Sequence, residues 1–101
     1  MTHNEMNIDA GNRLDKVHEK LCGLMLEIYS NTEGDLKSRI IDDHKFWNKY
    51  VNHNLKIFDE FYKGGSERNL FVKIRYAELI EARICDLKKM CEQFMIEVNY
   101  E

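Results

Sequence analysis

Proline is absent from this 101-residue chain, and glycine occurs only five times. Backbone breakers are therefore scarce, and long helices can run without a residue that kinks them. No apolar run exceeds four residues, so no segment is built to cross a membrane as a helix. Charge of one sign is lacking too: 15 basic residues face 18 acidic ones, for a formal net charge of −3. That balance argues against nucleic acid as a partner and is far from that of a DNA mimic. The cysteines Cys22, Cys85 and Cys91 are odd in number and lack C-x-x-C spacing. They exclude a fully paired disulfide framework and read as reduced, mostly buried thiols of a cytoplasmic protein. A hydrophobic content of 44% with 33% charged residues excludes global disorder. The length fits one all-α domain over 1–101, with the polar residues 1–8 expected to fray.

What is present is helical periodicity. A first helix is expected from about Asp9 or Asn12 to Ser30. Its stripe is Leu14, Val17, Leu21, Leu24 and Ile28, with Leu26 outside it. Asn31-Thr32-Glu33-Gly34 reads as a turn, with Thr32 or Asp35 as the cap of a second helix. Lys63-Gly64-Gly65-Ser66 ends that helix. It offers a lysine to the helix C-terminus, glycines able to take positive φ, and a serine to cap the next helix. A third helix, expected from Glu67 to Asn99, places Ala77, Ile80, Ile84, Leu87, Cys91, Phe94 and Val98 on one line. Val72, Tyr76, Leu79 and Met90 flank it. Near neighbours of opposite charge, Arg75 with Glu78, Arg83 with Asp86 and Asp86 with Lys89, suit a solvated face. The expectation is an all-α, elongated three-helix bundle with long second and third helices and a shorter first.

The second helix, Asp35 to Tyr62, is the most informative segment. At about 100° per residue, Leu36, Ile40, Trp47, Val51, Leu55, Phe58 and Tyr62 form one stripe. Phe46, Tyr50, Ile57 and Phe61 form a second beside it, with Arg39 and His53 at its edge. The combined arc spans about half the helix, whereas a helix covering one side of a small bundle needs roughly 100–140°. A first helix of about 33 Å cannot cover two helices of about 42 and 50 Å end to end. The remaining apolar strip predicts association, most simply as a homodimer in which the second and third helices pack on those of a second copy. A monomeric bundle that uses the second stripe as core is the plain alternative.

Few residues suggest reaction chemistry. His18 and Cys22 lie i, i+4 on one face and could supply half a zinc site. Cys85 and Cys91, six apart, point to different sides of their helix, so no metal site and no cofactor is expected. Lys45, Lys49 and Lys56 form a basic row, but Asp42, Asp59 and Glu60 flank it and a solvated face accounts for it. The spacing Arg39-x4-His44 resembles the Arg-x4–6-His motif of the HEPN ribonucleases, helical dimers that cleave RNA without a metal. The match ends at two residues, and Ile40 stands where that family often has a polar residue. The resemblance would make Arg39 and His44 a ribonuclease pair; without it, His44 is a packed, hydrogen-bonded histidine.

These features favour a non-enzymatic helical protein that binds a protein partner through Arg39, Phe46, Tyr50, His53, Ile57 and Phe61. Inhibitors, immunity proteins, antitoxin-like proteins and regulatory subunits are of this kind, an association by fold class. The alternatives are a pocket between helices that takes a small anionic ligand on Arg39, Arg75 or Arg83, or the HEPN-like ribonuclease.

Overall fold

Helix formation starts at the second residue. The Thr2 hydroxyl accepts a hydrogen bond from the Glu5 backbone N–H at 3.1 Å, and this cap launches α1 (His3–Ser30). Thr2-His3-Asn4-Glu5 is a capping-box sequence, and it makes helical the segment expected to fray. α1 closes on Asn31, whose N–H reaches the Glu27 and Ile28 carbonyls. Neither Thr32 nor Asp35 caps the next helix. The Thr32 hydroxyl instead donates back to the Ile28 carbonyl at 2.7 Å, and Glu33 takes the N-cap position. Gly34 follows at φ 63°, a left-handed conformation that glycine adopts without steric cost, and opens α2 (Gly34–Phe61).

The Tyr62–Glu67 connection ends without Ser66 as a side-chain cap. Glu67 stands at the N-cap of α3 (Arg68–Gln93), and the Ser66 carbonyl pairs with His3 Nε2 at 3.1 Å. α3 stops well before Asn99 because Met95 is left-handed, at φ 56°. There the Ile96 N–H reaches back to the Cys91 carbonyl at 2.8 Å and the Met95 N–H to that of Glu92 at 3.4 Å. This is a Schellman closure with methionine in the glycine position.

The computed structural model describes residues 1–99 as an all-α, elongated three-helix bundle, with helices of 28, 28 and 26 residues. It measures 47 × 25 × 17 Å with a radius of gyration of 15.8 Å, against about 13 Å for a compact domain of this size. Contacts between starts (His3 with Ser66) and between ends (Asn31 Nδ2 to the Glu97 carbonyl, 2.6 Å) make α1 and α3 parallel. Asp43 with Arg83 and Asp59 with Arg68 make α2 antiparallel to α3.

The core lies between α1 and α3, where Leu24, Ile28, Ala77 and Ile80 are fully enclosed and Val17, Leu21, Met25, Ile84, Leu87 and Cys91 surround them. From α2 only Ile40 and Val51 are buried. Trp47, Leu55, Phe58 and Tyr62 are half-buried, and Leu36, expected on the inner stripe, is exposed. Phe94 lies beyond the end of α3 and is exposed as well. α2 packs on α3 and meets α1 only sparsely. Its outer arc is therefore open because α1 lies elsewhere, not because α1 is short. Cys22 and Cys85 are exposed and only Cys91 is buried, a departure from the expected buried thiols.

Candidate functional site

Phe46, Tyr50, Ile57 and Phe61 remain at the surface, with 67%, 52%, 65% and 80% of their area exposed. They lie on one flank of α2, about 100° around the helix from Ile40 and Val51, in a row about 22 Å long. Arg39 and His53 are exposed on the same flank. The ends of the row are fixed differently. Lys49 Nζ sits 5.5 Å from the centroid of the Phe46 ring, a cation–π contact. Phe61 meets Tyr62 edge-on at 4.9 Å, and Tyr62 stacks on Phe71 of α3 at 4.6 Å. The second stripe is thus neither core against α1 nor core against α3.

Polar bridges hold α2 in place along its inner side. Arg68 clasps Asp59 through both carboxylate oxygens, at 2.5 and 2.6 Å, which holds the Asp59 carboxyl below its ordinary range. Arg75 Nε donates to Asn54 Oδ1 at 2.8 Å while its guanidinium lies 5.5 Å from the Phe58 ring centroid. Arg83 is largely enclosed and reaches across from α3 rather than pairing with Asp86. One Nη donates to Asp43 Oδ2 at 3.0 Å and to His44 Nδ1 at 3.3 Å. Its Nε meets no acceptor among the described residues, and its guanidinium carbon sits 5.6 Å from the Trp47 centroid. His44 stacks on Trp47 at 5.3 Å. Burial lowers the His44 pKa, the Arg83 charge lowers it further, and Asp43 opposes both.

His44, Trp47 and Asn48 face a cleft of about 410 Å³ between α1 and α2. Leu21, Met25 and Tyr29 line its α1 side, where the Cys22 thiol lies 3.7 Å from His18 Nδ1. Among the described residues, no Asp, Glu, Lys or Arg lines this cleft.

The other sequence candidates are dispersed. Arg39 lies on the outer flank of α2 and His44 on the inner side, so the Arg-x4-His pair does not form one site within a chain. Arg39, Arg75 and Arg83 each serve a different neighbourhood and do not converge on an anion pocket. Among the described residues, no three of His, Cys, Asp and Glu come together as a metal would require. Lys45, Lys49 and Lys56 are all exposed. The arginine bridges from α3 are hidden in the sequence, because i, i+3 partners such as Asp86 lie closer along the chain. No protein-family model, curated protein or solved structure matches the chain.

Proposed function

We propose that this protein works by binding a protein partner through the outer flank of α2, that it self-associates through this face, and that it performs no reaction of its own. The supporting observation is the exposed row Phe46, Tyr50, Ile57 and Phe61. Isolated apolar side chains are common on surfaces, but four large ones aligned on one helix form a contiguous patch. Aromatic residues with an arginine beside them, here Arg39, are the types that carry interface energy once buried. The face suits an inhibitor, immunity, antitoxin-like or regulatory role, each of which uses a surface rather than a catalytic centre.

Light scattering across a concentration series tests the reading. Wild type should approach twice its 12.1 kDa chain mass, and Phe61→Glu should remain a folded monomer. A charge at that position sits in water in the monomer and in a dry contact in the dimer. A concentration-independent monomer, indifferent to Phe61→Glu, would refute self-association through this face. The enzymatic alternative has its own readout: RNA cleavage abolished by His44→Ala would replace the binding reading with a ribonuclease.

A further inference from the structure

The exposed row is symmetric under reversal. Phe46 to Tyr50 is four residues, Tyr50 to Ile57 seven, and Ile57 to Phe61 four. The spacing 4-7-4 reads the same in both directions, with an aromatic ring at each end. An antiparallel contact about a two-fold axis makes use of this property, since residue i on one copy meets residue j on the other and j meets i, and a palindromic row sets apolar side chain against apolar side chain along its whole length. We infer that the occupant of the face is a second copy of this chain, with α2 packed antiparallel on α2 about a two-fold axis between His53 and Asn54. The inference rests on the binding role proposed for this flank and specifies its partner and register.

In that register Phe46 meets the partner's Phe61, and Tyr50 meets the partner's Ile57, each pair occurring twice. The charges agree. Lys49 and Glu60 share the solvent-side rim of the row, and a perpendicular two-fold axis sets the same rims side by side. Lys49 then falls within about one helical turn of the partner's Glu60. A parallel pairing would stack each side chain on its own copy and set neither Lys49 nor Glu60 against an opposite charge across the contact. The three aromatic side chains, each of about 150–250 Å² and mostly exposed, present together with Ile57 on the order of 500 Å² per subunit. Doubled, that is about 1,000 Å², the lower limit for a specific interface, so a concentration-dependent dimer is expected rather than an obligate one.

Site-directed crosslinking tests the register. In a Cys22→Ser, Cys85→Ser background, Cys91 is 1% exposed and stays silent. His53→Cys lies beside the proposed axis and should link to its own copy with bismaleimidoethane. Glu60→Cys lies about 20 Å from its copy along the direction of the helices and should not link alone, but should link when mixed with Lys49→Cys protein. Lys49→Glu and Glu60→Lys should each weaken dimerisation about tenfold, and the double reversal should restore it. Self-linking of Glu60→Cys, or none by His53→Cys, would overturn the antiparallel register. Should dimers then still dissociate with Phe61→Glu, the binding face stands and only the register falls. A monomer at every concentration, indifferent to Phe61→Glu, would remove both.

Discussion

Met95→Gly should stabilise the protein, and the size of the effect follows from the end of α3. Met95 sits at φ 56°, a conformation that costs an L-residue about 1–2 kcal/mol and glycine almost nothing. Its side chain is 88% exposed, so its removal forfeits little packing. The closing hydrogen bonds run from backbone N–H groups, Ile96 to Cys91 and Met95 to Glu92, and survive the change. Against the gain stands the greater freedom of glycine in the unfolded chain, about 0.5–1 kcal/mol. The net is a stabilisation of about 0.5–1 kcal/mol, or roughly 3–6 °C in melting temperature for a domain of this size. Urea and thermal unfolding followed by circular dichroism, at fixed protein concentration, measure it. Gly64 supplies the mirror experiment. It sits at φ 80°, and a methyl group on its Cα would meet no neighbouring atom within 4 Å. Gly64→Ala should therefore cost about 1 kcal/mol through backbone strain alone. A Met95→Gly protein that melts at or below wild type, while Gly64→Ala behaves as stated, would refute the strain argument.

Other outcomes follow from burial and charge. Ile80→Ala removes a fully enclosed side chain at the α1–α3 contact and should cost about 3–4 kcal/mol, whereas Ile57→Ala should change monomer stability by under about 0.5 kcal/mol; chemical denaturation separates them. His44 has a folded pKa below 6.5, so the unfolded chain takes up a proton before the folded one does. Its contribution is complete above about pH 6.5 and is lost as pH falls through 6.5 toward the lower folded value. His44→Gln should remove that part of the pH dependence of unfolding, and an unchanged profile would refute it. Iodoacetamide should label Cys22 and Cys85 in native protein and spare Cys91. Burial and the neighbouring Glu27 carboxylate raise the Cys91 thiol pKa; labelling of Cys91 at the rate of the other two, read by mass spectrometry, would contradict its enclosure.

The all-helical architecture was legible because apolar spacing and the absence of proline act over whole helices. Leu21, Leu24, Ile28, Ala77, Ile80, Ile84, Leu87 and Cys91 occupy the interior that their three- and four-residue steps imply. Helix ends were less legible. The capping box at Thr2 and Glu5 was readable but sits in a polar stretch with little apolar periodicity. Methionine is a good helix former, so nothing at Met95 announced a left-handed stop. The outer stripe of α2 was legible as a set of residues, but its exposure was not. Exposure depends on α1 lying against α3 rather than α2, a tertiary choice that no pattern within α2 encodes. Thr32 shows the same limit at short range, since its hydroxyl turns back to the Ile28 carbonyl of α1 rather than capping the helix that follows.

The sparse contact between α1 and α2 gives the molecule a seam. α1 and α3 share the enclosed side chains, while α2 is fastened by two buried residues, a few half-buried rings and the arginine bridges from α3. Because α2 has little hold on α1, releasing its contacts with α3 would detach it as a unit while the α1–α3 pair stayed closed. Amide hydrogens of α2 should then exchange ahead of those at the centres of α1 and α3, and together rather than one by one. In an α2-paired dimer the order would change, because the helix that is loosest in one copy becomes the shaft on which the two copies are mounted. Protection of α2 should rise with protein concentration while that of α1 stays nearly constant, so the slowest-exchanging segment of the assembly would differ from that of its parts.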